Sequence, residues 1–242
     1  MRAWAPRMPS EKPGSKEQLT TPFRFPHPGT ADEDGLVAVG GDLKPGTLLV
    51  AYGNGLFPWT IRPITWWSPD PRAIIPIGGL HVSRSLRKAI RATELKLSFD
   101  RAFRQVMQGC AAPRPGREKT WISAGFIAAY TRLHELGYAH SVEIWRGDAL
   151  VGGLYGVAIG AFFAGESMFS AEENASKMAL VAIEEKLRSC GFLLFDVQMM
   201  TDHLRSMGAV EIPRDEYLRQ LHEACVKEGR FSAEPISSFR PA

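Results

Sequence analysis

The sequence predicts a mixed α/β (α+β) fold, on three observations. From Thr120 onward the patterning runs helix, three antiparallel strands, helix, strand, helix, an order that builds a mixed sheet. Within that run, Ala161 to Gln198 reads as strand, helix, strand; Ala175, Met178, Ala179, Ala182, Ile183 and Leu187 give its helix an apolar face. Its two strands, otherwise apolar, carry the polar side chains Glu166, Asp196 and Gln198. A chain of 242 residues makes one large domain, or a main domain with a smaller one. With 45% hydrophobic and 23% charged residues it has the ordinary globular mixture and can bury a core.

Composition removes several classes. Cys110, Cys190 and Cys225 are an odd set at long spacings, with no CxxC and no Cys/His cluster, so neither a disulfide framework nor a metal site is expected. A reducing cytoplasm is the simplest home. No apolar run approaches the ~20 residues of a membrane span. Arg2 and Arg7 have no apolar core behind them, so no secretory signal is read. The net charge of +3 names no partner by itself.

Taken in order, residues 1–24 hold five basic residues, two acidic ones and four prolines, the composition of a poorly ordered tail. Leu36 to Val39 reads as a strand entering a turn at Gly40-Gly41. Pro45 to Gly53 reads as a short helix through Leu48, Leu49 and Tyr52. Trp59, Trp66 and Trp67 then fall within nine residues among prolines and do not fit one regular element. Trp66 and Trp67 are expected in a small docking core, whereas Trp59 offers an aromatic platform to a base.

His81 to Lys119 is the electrostatic feature of the chain. It holds ten Lys/Arg against three acids, an excess larger than the whole chain's +3. Ser83 caps an expected helix that carries Arg84, Arg87, Lys88 and Arg91 along one side. A solvated face explains many charge runs, but this imbalance favours an anionic partner, nucleic acid foremost.

Ser123 caps the next helix, with Phe126, Tyr130 and Leu133 on one face and Gly137 as its stop. His140 to Trp145 and Leu150 to Val157 pair through the two-residue hairpin Gly147-Asp148. In the following strand Phe162, Ala164, Glu166 and Met168 are expected on one face by alternation. Asn174 is placed to cap the helix after it, and Gly191 to end it. Asp196 and Gln198, two apart, share a face of the last strand. Polar groups in such strands cost free energy unless paired or used, so the trio marks either a reaction site or a hydrogen-bonded device that fixes register. A short helix to Gly208 and a final helix near Asp215 to Lys227 complete the chain.

This order is that of an N-acetyltransferase-type sheet. Such folds seat an acyl-CoA pyrophosphate on a Gly-rich turn at a helix N-terminus. Here Ser170-Ala171-Glu172-Glu173-Asn174 stands in that place, and two acids repel a pyrophosphate. An acetyltransferase-like fold with another donor is therefore expected. An ordinary acyl-CoA transferase, a non-catalytic RNA-binding module and a ligase acting on cell-wall peptide are the competing readings.

Five blocks in order then make a specific match. They are GLVAVGGD (35–42), GLFPW (55–59), WWSPDPR (66–72), GESMFSAEENASK (165–177), and Asp196 to Gln198 with Asp202-His203 and Ser206 to Ala209. Together they resemble the leucyl/phenylalanyl-tRNA–protein transferase family, over about Phe25 to Leu221. The resemblance implies a small N-terminal domain over residues 25–72 packed on an acetyltransferase-like domain over residues 73–242. It implies transfer of Leu or Phe, with Met a further candidate, from aminoacyl-tRNA to the N-terminal amine of proteins beginning with Arg or Lys, marking them for degradation. It implies no metal or cofactor. With the cysteine usage and the lack of an apolar span, a cytoplasmic protein without a membrane partner is expected, acting as a monomer.

Residue by residue, the resemblance gives Glu166 the aminoacyl α-amine and gives Asp196 and Gln198 the chemical step. Trp59 and Trp121 match aromatics that contact the terminal adenosine, and Leu154, Met168, Ile183 and Leu187 fall where relatives line the side-chain pocket. The reaction is aminolysis of an already activated ester, so positioning and exclusion of water do most of the work, roughly 7–11 kcal/mol of the barrier. Gln198 is a poor base and is expected to orient, with Asp196 fixing it or taking up charge.

Overall fold

The structure, a computed structural model, describes residues 19–113 and 120–234. Most of the expected N-terminal tail, Arg114, Arg117 and Lys119 of the basic segment, and the chain beyond residue 234 lie outside the described residues.

After a single 3-10 turn at Pro28–Thr30 come β1 (Leu36–Val39), α1 (Pro45–Gly53), β2 (Phe57–Ile61) and β3 (Ile64–Trp67). These strands form an antiparallel sheet in the order β1-β3-β2. The crowded tryptophans are thus divided between two paired strands. Trp66 is buried and donates Nε1 to Gly40 O at 2.8 Å, which ties the β1 turn down. Trp59 stands edge-on to Trp67 at 5.4 Å.

Next come β4 (Arg72–Ile75), α2 (Arg84–Ala92), β5 (Lys96–Phe99), α3 (Phe103–Ala111), α4 (Ala124–Glu135), β6 (Ala139–Arg146), β7 (Ala149–Ile159) and β8 (Phe162–Ser170). They are followed by α5 (Ala175–Ser189), β9 (Leu194–Gln198), α6 (Asp202–Ser206), β10 (Val210–Ile212) and α7 (Arg214–Val226). The large sheet runs β10-β4-β9-β8-β7-β6-β5. Its pairs are antiparallel except β8 with β9, which the α5 crossover makes parallel. This is the mixed sheet expected from the sequence.

Both faces of the sheet are covered. Tyr155, Val157, Phe162, Ala164 and Leu194 pack with residues of α1, α3, α4 and α7. Leu154, Ala158, Phe163, Phe195 and Val197 pack with residues of α2, α5 and α6. Among the described residues no helix is long and apolar enough to cross a membrane.

Two local expectations change. Asn174 stands before α5 at φ 64 and makes no side-chain cap; Ser170 Oγ instead accepts Ser176 N–H at 3.1 Å. Nor do Phe162, Ala164, Glu166 and Met168 share a face. Tyr155 opposes Ser167 while Gly156 opposes Gly165, so Glu166 is an extra residue, a β-bulge. The bulge resets the alternation: Phe162 and Ala164 join one core, Met168 packs against the other.

Candidate active site

The parallel pairing of β8 with β9 is short, from Phe162–Leu194 to Ala164–Asp196. Beyond it the strands separate, and a cavity of about 370 Å³ opens between them. Gly165, Glu166, Ser167 and Met168 line it from β8, and Phe195, Val197 and Gln198 from β9. Leu154, Leu180 and Leu204 extend its apolar lining, and Phe57, Pro58, Trp59 and Trp121 form an aromatic wall. Among the described residues that line it, Glu166 is the one acidic or basic side chain.

The structure therefore brings together Glu166, Gln198, Trp59, Trp121, Leu154 and Met168. It does not bring in Ile183 and Leu187. Both are fully buried in the core on the α5 side, because the α5 face that carries them packs on the sheet. Leu180, one turn before Ile183, meets the cavity instead. Asp196 is also absent from the lining.

Glu166 sits on the bulge with its carboxyl between donors. Tyr130 donates its hydroxyl to Oε2 at 3.4 Å, and Gln198 Nε2 donates to Oε1 at 3.4 Å. The Tyr52 hydroxyl is hydrogen-bonded to that of Tyr130, so α1 and α4 together support the carboxyl. Burial pushes Glu166 up to about 8, and Asp196 adds to this; the hydroxyls of Tyr52 and Tyr130 and the charge of Arg72 pull the other way.

Asp196 lies behind the cavity wall. Its carboxylate accepts Arg72 Nε at 2.9 Å, Arg72 Nη2 at 2.7 Å and the Tyr217 hydroxyl at 3.0 Å. Burial works against charge on Arg72, but Asp196 beside it more than reverses this and holds the guanidinium above its ordinary value. Asp196 Oδ1 also accepts the backbone N–H of Gln198 at 2.9 Å. Gln198 itself has φ 60, a left-handed conformation uncommon for a residue with a side chain. Sequence reasoning passed over Arg72 and Tyr217. The available signal was a lone arginine heading the apolar run Ala73-Ile74-Ile75, where a charge entering a core needs a partner.

The basic helix forms as expected. Ser83 Oγ accepts Leu86 N–H at 3.1 Å, and Leu86 and Ile90 face the core. Arg84, Arg87, Lys88 and Arg91 line one shallow groove outside it.

The family model described as "Leucyl/phenylalanyl-tRNA protein transferase" matches residues 74–222, and that of the family's N-terminal domain matches residues 41–70. The leucyl/phenylalanyl-tRNA–protein transferase of Tolumonas auensis is 49% identical over 221 residues, 90% of this chain and 94% of its own. That of Anaeromyxobacter dehalogenans is 53% identical over 203 residues, 83% of this chain and 87% of its own. That of Thiobacillus denitrificans is 53% identical over 212 residues, 86% of this chain and 93% of its own. The chain belongs to the leucyl/phenylalanyl-tRNA protein transferase family and is an aminoacyltransferase.

Proposed function

We propose that this protein takes Leu or Phe, with Met a further candidate, from aminoacyl-tRNA and joins it to the N-terminal α-amine of proteins beginning with Arg or Lys. The observation that carries the reading is the cavity between β8 and β9, which joins an apolar lining, an aromatic wall and one carboxyl in a single space. Leu154, Met168, Leu180 and Phe195 select an apolar side chain by burial, each methylene contributing about 0.8 kcal/mol. Trp59 and Trp121 stack on the terminal adenosine, at roughly 1–3 kcal/mol per base. Arg84, Arg87, Lys88 and Arg91 receive tRNA phosphates.

The ammonium of the aminoacyl group, brought beside Glu166, favours its ionised form, and the ion pair so made fixes the ester carbonyl. Gln198, within reach of Glu166, orients the incoming amine or the developing oxyanion. The reference α-amine pKa of about 7.7–8.0 leaves a usable neutral fraction of the nucleophile. The amine attacks the carbonyl, the bond to the tRNA's terminal oxygen breaks, and the proton lost by the amine balances the one gained by the leaving hydroxyl. In this division of labour a small domain over residues 25–72 supplies Trp59, and residues 73–242 supply the other groups. The protein acts as a cytoplasmic monomer, and its product is marked for degradation.

The test is incubation with phenylalanyl- or leucyl-tRNA and a peptide bearing N-terminal Arg, read by mass spectrometry. A one-residue adduct is expected with Arg or Lys first, and none with an N-acetylated peptide. Absence of any adduct from either tRNA would overturn the reading.

A further inference from the structure

We infer that Arg72 and Tyr217 are positioning residues for the transfer reaction, acting through Asp196 on Gln198. This rests on the aminoacyl-transfer reading above.

An ionised carboxylate offers about four acceptor sites. At Asp196 four donors occupy them. Oδ1 takes Arg72 Nε and the Gln198 backbone N–H; Oδ2 takes Arg72 Nη2 and the Tyr217 hydroxyl. Asp196 is 0% exposed. No site is left to receive the proton of an attacking amine, and the group does not reach the cavity. Its task is to hold.

What it holds is the end of β9. Opposite β4, Ala73 faces Gln198 while Ile74 faces Asp196, so Val197 is an unpaired residue between them. The chain then turns left-handed at Gln198, a conformation that persists only where the surroundings impose it. The hydrogen bond from Gln198 N to Asp196 Oδ1 spans that turn. It directs the Gln198 amide toward Glu166.

Arg72 carries the same constraint across to the aromatic wall. Its Nη1 donates to Gly55 O at 3.1 Å, and its guanidinium lies over the rings of Tyr217 at 4.4 Å and Phe57 at 5.0 Å. Phe57 lines the cavity and belongs to the same strand as Trp59. One buried cation therefore sets the spacing between the amide that orients the reaction and the wall that holds the nucleotide. Tyr217 closes the arrangement from α7, bonded to both members of the ion pair.

Two variants test this. Tyr217→Phe removes one hydroxyl and leaves the ring. The triple variant Arg72→Met, Asp196→Leu, Tyr217→Phe replaces the whole polar group with apolar side chains, a change that buried ion pairs often tolerate without loss of stability. Thermal melting, affinity for tRNA, and KM and single-turnover rate with phenylalanyl-tRNA are measured on both. Tyr217→Phe should melt near the wild type, keep its KM, and transfer more slowly by roughly 3- to 30-fold. The triple variant should lose about 100-fold or more, as displacement of a positioned group by about 1 Å does. A triple variant that folds and transfers at the wild-type rate overturns the inference. So does a Tyr217→Phe variant with an unchanged rate, or one that raises KM alone, and this arm decides if the triple variant fails to fold. Failure of the wild type to form the adduct would instead count against the transfer reading itself.

Discussion

Arg72 and Asp196 form a two-bond ion pair, Nε to Oδ1 at 2.9 Å and Nη2 to Oδ2 at 2.7 Å, with neither side chain more than 1% exposed. Breaking such a pair from one side strands a charge in the core. Arg72→Ala is therefore expected to cost about 3–5 kcal/mol of stability, measured by urea unfolding. A loss below about 1 kcal/mol would show that water reaches Asp196 and that the pair is not sealed.

The raised pKa of Glu166 gives a pH dependence of defined sign. Burial is its main cause, and the value of about 8 lies above the ordinary 4.5 of an unfolded glutamate. The protonated form is thus the one the fold prefers. Its contribution to stability is complete below pH 4.5 and drains away as pH rises through about 8. Melting temperatures of the wild type and Glu166→Gln should diverge across that window in favour of the variant, then run parallel above it. Identical curves at every pH would contradict the assignment. In transfer assays Glu166→Gln should be impaired throughout, because it no longer offers a charge to the aminoacyl ammonium.

Cavity-lining and core residues should separate in their effects. Leu154→Ala and Met168→Ala enlarge the cavity, so the preference for leucyl- over alanyl-tRNA should fall. Leu187→Ala empties a core site and should cost about 2–5 kcal/mol of stability, while the ratio of leucine to alanine transfer stays at the wild-type value. Competition between the two charged tRNAs in one reaction, beside a melt of each variant, measures both quantities. A changed ratio in Leu187→Ala would place that residue back in the pocket.

The face of α2 should act by charge alone. Replacing Arg84 and Lys88 with Gln should weaken tRNA binding for every aminoacyl group alike. If each contacts one phosphate, the slope of log affinity against log salt should flatten by about 0.7–0.9 per residue. Titrations at several salt concentrations read this directly, and an unaltered slope would move the tRNA path elsewhere.

Much of the architecture was legible because periodicity survives in long elements. The β6–β7 hairpin turns at Gly147-Asp148, α4 is capped by Ser123, and α5 ends before Gly191 at φ 74. The short elements β4, β5 and β10, of four, four and three residues, were not legible, since so few positions show no period. Helix α3 was hidden for another reason. Its start has no side-chain cap of its own, and Glu143 of β6 accepts the N–H of Arg101 and of Ala102 there. A cap supplied from a distant strand leaves no local mark. At the site, Glu166 and Gln198 stood out as polar residues in apolar strands. The role of Asp196 did not, because it depends on Arg72, 124 positions away along the chain.

The bulge at Glu166 makes the site a matter of parity. A strand sorts its side chains by odd and even position, and one supernumerary residue converts odd to even for everything downstream. Ala164 and Met168 are an even count apart, yet they belong to opposite sides of the sheet. Deleting Glu166 would leave every other pairing as it stands: Gly165 would still oppose Gly156, Ser167 would oppose Tyr155, and Met168 would oppose Leu154. The apolar lining would keep its side of the sheet, and only the carboxyl would go. The sheet does not need this residue for its ladder, so the fold carries its charge-bearing group on a position that pairing leaves free.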